Sequence, residues 1–154
     1  MDDEQAEQIA AVERALVAMR RSQSRRALGH LARQGRDLGV ELGVFGALDA
    51  VEEGAATVTE VARALSVDQP RASRLATQAV RAGLLVRKAD QDDGRRALLR
   101  LTARGRGLLD RVHRFRQDRA ARAMADWTQA ERAAFAELLP RFVAAFTRIN
   151  EEGR

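Results

Sequence analysis

The sequence predicts a mainly α protein that carries one small β-hairpin. Only two prolines occur in 154 residues, so few positions would interrupt a helix. Apolar residues recur at three- and four-residue spacing through most of the chain, whereas residues 84–101 change to short apolar runs on either side of a turn-rich tip. A chain of this length suits a single domain that can bury a core.

Helices are expected at the start of the chain. The periodicity predicts a long helix over 4–28, a shorter helical piece that carries His30 and Leu31, and another helix over 40–51. Gly35 and Gly39 interrupt the pattern between the last two. The apolar positions that define the two longer helices are Ile9, Val12, Leu16, Met19 and Ala27, then Leu42, Phe45, Leu48 and Ala50.

Two short helices joined by a tight turn are predicted next. Thr57 and Glu60 form a capping-box pattern that opens a helix ending near Leu65. Asp68 can cap the second helix, and Pro70 is tolerated there because it lies in the first turn. That helix is expected to run to about Ala82 and to stop at Gly83.

The hairpin and two long helices complete the chain. Strands are predicted at 84–88 and 97–101, with a tip at 90–94. Thr102 can cap a helix over 103–125, and a second capping box of Thr128 and Glu131 opens a last helix to about Asn150. The order therefore predicts a winged helix–turn–helix flanked by helices on both sides.

The second helix of this motif has an outward face suited to DNA. A helical wheel places Ala72, Leu75 and Ala79 on the inner side and leaves glutamine, arginine, serine and threonine outside or on the flanks, with no acid beyond the cap. Such side chains hydrogen-bond base edges and phosphates in a major groove. The alternative is an ordinary solvated helix, which more often mixes Glu and Lys. The predicted DNA-binding residues of this helix are Gln69, Pro70, Arg71, Ser73, Arg74, Thr77 and Gln78.

The hairpin tip adds Arg95 and Arg96 to the predicted DNA-binding residues. An arginine pair is usually just solvated, but at a tip beside a recognition helix an arginine can enter the narrow minor groove. Asp93 could hold Arg95 extended through a charge-assisted hydrogen bond.

The charge pattern favours a polyanionic partner. Residues 1–56 carry a net charge of −3, whereas residues 57–101 and 102–154 carry +4 each. Lys88 is the only lysine among 27 basic residues, and a GC-rich coding bias would produce the same arginine excess.

Several classes of function are disfavoured. The chain has no cysteine and two histidines, which excludes thiol chemistry and makes a metal sensor improbable. No phosphate loop, nucleophile elbow or metal-ligand cluster is present, so we expect no catalytic residue, no cofactor and no enzyme activity. No apolar run is long enough to span a membrane, and the acidic start lacks the features of a signal peptide, so a cytoplasmic, nucleoid-associated bacterial protein is expected. A non-specific architectural DNA-binding protein remains the alternative to a sequence-specific regulator.

Four motifs in order resemble the MarR family of transcriptional regulators. They are Leu65-Ser66-Val67-Asp68 leading into Ser73-Arg74-Leu75, then Gly83-Leu84-Leu85-Val86-Arg87, Asp93-Gly94-Arg95, and Leu101-Thr102-Ala103-Arg104-Gly105. The resemblance covers residues 38–112. Gly39-Val40-Glu41-Leu42 departs from it, because the family usually has Pro-x-Gln/aromatic there. The absence of cysteine excludes the family's thiol-based oxidant sensors.

The resemblance implies a homodimer that binds a pseudo-palindromic operator, represses transcription and is released by a small ligand such as an aromatic acid. One MarR-like protomer would span 1–154, with an N-terminal dimerisation helix at 1–36, the winged region at 38–101 and C-terminal dimerisation helices at 102–154. A ligand would lie between the winged region and the dimer helices, near His30, Phe45, His113 and Arg116. The apolar stripe of the last helix fits either an intramolecular core or, as we expect, an interface between subunits; it comprises Trp127, Phe135, Leu138, Leu139, Phe142, Val143, Phe146 and Ile149.

Overall fold

The described residues form helices and one antiparallel hairpin. The computed structural model describes residues 2–22, 33, 35–90 and 97–152. In chain order the elements are α1 (Asp3–Ser22), α2 (Gly43–Glu52), α3 (Val58–Leu65), α4 (Gln69–Arg81), β1 (Leu85–Ala89), β2 (Ala97–Leu101), α5 (Ala103–Ala123) and α6 (Gln129–Glu152). The predicted fold class, mainly α with a small β-hairpin, is therefore confirmed.

The chain divides into two compact units, Met1–Val112 and His113–Arg154. In the first unit α2, α3 and α4 pack against one another and against the hairpin. Its core is entirely apolar among the described residues, and Phe45, Leu48, Leu75, Leu84 and Leu109 are its largest members together with Leu85 and Leu99. This core holds the α3–turn–α4 motif and the hairpin in one body.

Local capping signals set the boundaries of the two short helices. The Thr57 hydroxyl accepts from the Glu60 backbone N–H at 3.2 Å, and the Glu60 carboxylate accepts from the backbone N–H groups of Ala56 and Thr57 at 2.8 Å each. Asp68 caps α4 by accepting from the Arg71 backbone N–H at 2.7 Å. Between the helices Ser66 adopts a left-handed conformation, with φ of 52°. Side-chain oxygens thus satisfy backbone donors that the first turn of each helix leaves unpaired.

The hairpin is anchored to the rest of the first unit through β2. Its register pairs Leu85 with Leu101 and Ala89 with Ala97. The Leu99 backbone N–H donates to the Ala56 carbonyl at 2.6 Å, which ties β2 to the chain just before α3. The hairpin is therefore fixed beside the helix–turn–helix.

One threonine joins three elements at the base of the hairpin. The Thr102 hydroxyl donates toward the carbonyls of Gly83 and Leu84, at 2.7 and 3.1 Å, and accepts from the Gly105 backbone N–H at 3.0 Å. Gly105 is buried, and a Cβ at this position would lie 2.1 Å from the Leu84 carbonyl oxygen. Glycine is therefore required where α5 begins, because the helix passes directly against the start of β1.

The last helix exposes most of its apolar side chains. α6 begins at a second capping box, in which the Thr128 backbone N–H donates to the Glu131 carboxylate at 2.7 Å and the Glu131 backbone N–H donates to the Thr128 hydroxyl at 3.2 Å. Pro140 lies inside α6, where it removes one backbone donor. The stripe predicted from the sequence stays at least 37% exposed at every position from Trp127 to Ile149.

A few predicted boundaries differ from the structure. The helix predicted at 40–51 begins later, at Gly43, and the helix predicted at 103–125 ends at Ala123. The first strand lies one residue further along than predicted, at Leu85–Ala89. Residues 35–38, expected to be loose, are helical. The part of the predicted 4–28 helix beyond Ser22 lies outside the described residues.

No described helix is both long and apolar enough to cross a membrane.

Candidate nucleic-acid interface

Helix α4 presents one polar, acid-free face to solvent. Its inner face is buried at Ala72, Leu75, Ala76 and Ala79, as the helical wheel predicted. The outer face forms a shallow concave surface, lined by Pro70, Ser73, Arg74, Thr77, Gln78 and Arg81. All of these side chains except that of Pro70 can donate hydrogen bonds to base edges and to phosphates, and no carboxylate among them would repel a polyanion.

The two arginines of this face are well placed for a groove. Arg74 and Arg81 are both exposed and are seven residues apart, so they lie on one side of the helix about two turns, or about 10 Å, from each other. Thr77 lies between them and Ser73 directly precedes Arg74, and both of these hydroxyl residues are half-buried. A planar guanidinium can make two parallel hydrogen bonds to a guanine edge or to a phosphate.

Strand β1 contributes a cation that the sequence analysis did not select. The Arg87 guanidinium donates to the Thr77 hydroxyl at 3.3 Å, which brings a second element to the outer face of α4. Arg87 is exposed on the hairpin. Its contact crosses from strand to helix, so helical periodicity alone could not reveal it.

The flank residues have partners within the protein. The Arg71 guanidinium lies 2.6 Å from the Glu41 carboxylate, and the Gln78 side-chain amide donates to the same carboxylate at 2.9 Å. Gln69, at the start of α4, donates to the Thr59 hydroxyl of α3 at 3.3 Å. The predicted set thus includes residues that also bind the protein itself, and Gln78, at the edge of the outer face, is one of them.

The remaining predicted site residues are those of the hairpin tip and of the ligand pocket. Arg95, Arg96 and His30 lie outside the described residues. Phe45, expected to line a ligand pocket, lies in the core of the first unit with 2% of its surface exposed. His113 and Arg116 lie in the second unit, the former half-buried and the latter exposed, and both have contacts with other residues. Their part in a ligand pocket stays a prediction.

Comparison with known proteins identifies similar chains. Residues 38–96 match the model of the MarR family. The uncharacterized HTH-type transcriptional regulator YxaD of Bacillus subtilis (strain 168) is 34% identical over 95 residues, which are 62% of this chain and 66% of that protein, just under two thirds of its length.

Solved structures share the fold. A MarR family protein from Bacillus stearothermophilus superposes with a TM-score of 0.68 at 21% identity and covers 96% of this chain and 99% of its own. BpsR of Bordetella bronchiseptica, whose DNA binding is described as regulated by 6-hydroxynicotinic acid, superposes with a TM-score of 0.56 at 23% identity, covering 82% of this chain and 91% of its own.

Proposed function

Because this chain belongs to the MarR family of transcriptional regulators, we propose that it binds a specific DNA sequence through α4 and controls transcription there. The observation that carries the proposal is the outer face of α4, which is exposed, basic and free of acids on a helix held firmly by capping and core packing. The hairpin lies beside it and adds Arg87, and Arg95 and Arg96 are proposed to reach the adjacent minor groove. Membership in a family of regulators favours this function over catalysis.

A homodimer is the proposed DNA-binding form. The apolar stripe of α6 supports it, because contiguous apolar surface of this extent is uncommon on a monomer. Two copies would present two α4 helices to half-sites about 34 Å apart, one helical turn of DNA. We further propose repression of transcription, in the cytoplasm at the nucleoid.

Arg74 offers the sharpest test of specific DNA binding. Arg74→Ala should weaken binding to a duplex selected from genomic fragments by roughly 1–3 kcal/mol and weaken binding to random DNA less, because a base contact is lost along with a charge. Fluorescence anisotropy with both duplexes measures the difference. Arg148→Ala removes the same charge from an exposed position of α6 and serves as the control.

Three outcomes would contradict the proposal in different ways. An equal loss on selected and random duplexes would mean that Arg74 contacts only phosphate, and equal affinity of the unaltered protein for both would favour the architectural alternative. No loss on either duplex would mean that α4 is not the interface.

A small aromatic acid is the proposed effector. The description of BpsR motivates this choice, since that protein shares the fold and responds to such a compound. A ligand can release DNA only through its different affinity for the bound and released arrangements, so the coupling should be about 1–3 kcal/mol and reciprocal. Titration of salicylate and 6-hydroxynicotinic acid into a preformed complex tests it. DNA that stays bound at saturating concentrations, with no shift in Tm, would refute an effector of this class.

A further inference from the structure

We propose that Glu41 is a specificity-determining positioning residue, which holds Arg71 and Gln78 against the protein and keeps them from DNA. The inference rests on the proposed DNA-binding function of α4. The polar residues of that helix then fall into two sets, one that faces DNA and one that is bound within the protein. Arg71 and Gln78 belong to the second set, although the helical wheel alone predicted that they bind DNA.

Glu41 uses its carboxylate and its backbone together. One carboxylate oxygen lies 2.6 Å from Arg71 Nη2, and the other accepts from Gln78 Nε2 at 2.9 Å. The Glu41 backbone N–H in turn donates to Gln78 Oε1 at 3.1 Å, so the glutamine amide is bound on both sides. Arg71 and Gln78 are seven residues apart and therefore lie on the same flank of α4, two turns from each other. Glu41 lies between them and bridges the two turns.

Close packing restricts the backbone next to this carboxylate. Glu41 lies two residues before α2, and a Cβ at Gly43 would be 2.9 Å from Leu75 Cδ2 of α4. The start of α2 therefore has little room to move relative to α4. The two charged side chains are only 37% and 32% exposed, for Arg71 and Glu41 respectively, so water screens their attraction less than that of a fully exposed pair.

DNA would have to overcome two penalties to capture Arg71. Transfer of the guanidinium to a phosphate would break a charge-assisted hydrogen bond to Glu41. It would also leave an unpaired carboxylate next to a polyanion, which is repulsive. Glu41 therefore neutralises the positive charge of Arg71, whereas Arg74 remains available on the outer face.

Neutralisation of Arg71 should raise the ratio of the affinity for specific DNA to the affinity for random DNA. Affinity for random DNA depends on the number of phosphates that basic side chains neutralise, whereas discrimination depends on base contacts. A basic residue that is kept from phosphates therefore lowers the affinity for random DNA and leaves the discrimination by base contacts unchanged.

The experiment compares Glu41→Gln in the natural background and in an Arg71→Gln background, each with a random-sequence duplex over a salt series from about 50 to 200 mM. Freed Arg71 should bind a phosphate, so Glu41→Gln should tighten random binding about threefold or more and steepen the log–log salt slope by about 0.9 per protomer. In the Arg71→Gln background the steepening should disappear. Glu53→Gln, which removes an exposed carboxylate at the end of α2, should not steepen the slope.

An unchanged or shallower slope for Glu41→Gln would overturn the proposal, as would steepening that persists without Arg71. Should Glu41→Gln not fold, NMR of the Arg71 guanidinium in the unaltered protein provides the second measurement. Its slowed rotation should persist when DNA is added, and release on DNA binding would overturn the proposal. Failure of the unaltered protein to bind any duplex would refute the proposed function instead, and the guanidinium signal of the free protein would still report the Glu41 contact.

Discussion

The segment between residues 40 and 112 of the first unit and helix α6 of the second unit differ in how far they bury their apolar residues. In the former every large apolar side chain except Val86 is buried or half-buried, and Val44, Leu48 and Leu109 are fully inaccessible. In the second unit the large apolar residues of α6 stay between 38% and 63% exposed. The first unit therefore has a core of its own, whereas the stability of α6 within this single chain owes little to burial. The proposed homodimer would supply that burial from a second copy.

The largest expected effect tests whether the first unit is as tightly fixed as its core suggests. Gly105→Ala would place a Cβ 2.1 Å from the Leu84 carbonyl oxygen, so α5 and β1 would have to separate. We expect a loss of about 3 kcal/mol or more in the free energy of unfolding, at or above the upper end for overpacking. Urea denaturation followed by circular dichroism measures it.

A matched control lies two residues away. A Cβ at Gly107 would meet only Arg111 Nη1, at 3.9 Å, and alanine favours helices over glycine by about 1 kcal/mol. Gly107→Ala should therefore leave stability unchanged or raise it slightly. Equal behaviour of the two variants would show that the contact between α5 and β1 is not rigid.

An intermediate effect is expected for the exposed stripe of the second unit. Phe142 is stacked on Phe146, with ring centroids 5.7 Å apart, and is 38% exposed. If the stripe is a dimer interface, Phe142→Ala should weaken dimerisation by about 2 kcal/mol, or roughly thirtyfold, with little effect on the core of the first unit. Sedimentation at several concentrations measures it.

Glu137→Gln provides the comparison on the same helix, since it alters only an exposed pair with Arg141 at 3.7 Å. Dimerisation should be unchanged in this variant. A monomer at micromolar concentration for the unaltered protein would remove the proposed explanation for the exposed stripe.

The smallest effect concerns pH at the start of α6. The backbone and side-chain hydrogen bonds from Thr128 lower the pKa of the fully exposed Glu131. Since the folded-state pKa is below the unfolded one, the resulting stabilisation is present above the unfolded pKa and is lost as pH falls through the folded value. NMR titration should find the pKa of Glu131 lowered in the unaltered protein and returned toward its ordinary value in Thr128→Ala. An identical pKa of Glu131 in the two proteins would contradict the capping box.

Local signals account for what could be predicted from the sequence. Thr57 with Glu60, Asp68, and Thr128 with Glu131 each act within one turn of helix, so their spacing is visible in the sequence, and the structure has the expected caps. The inner face of α4 follows from periodicity alone, because only a 3.6-residue repeat places its apolar residues on one side.

Contacts between distant segments could not be predicted in this way. Glu41 meets Gln78 across 37 positions, and Arg87 meets Thr77 only because β1 folds back beside α4. The Leu101-Thr102-x-x-Gly105 pattern was recognised as a motif, but the reason for its glycine is the passage of α5 against Leu84. Phe45 was predicted to line a ligand pocket, whereas its apolar neighbours on α2 fit the buried position that the structure gives it, and its part in a pocket stays a prediction.

The junction at Thr102 has a mechanical consequence. One hydroxyl bonds both the carbonyls that follow α4 and the first turn of α5, and Gly105 lets the backbones touch. We therefore expect the end of α4, the base of the hairpin and the start of α5 to move as one rigid body. Bending in this part of the chain therefore has to occur elsewhere, and a torque applied to the first turn of α5 would tilt the outer face of α4 together with the base of the hairpin.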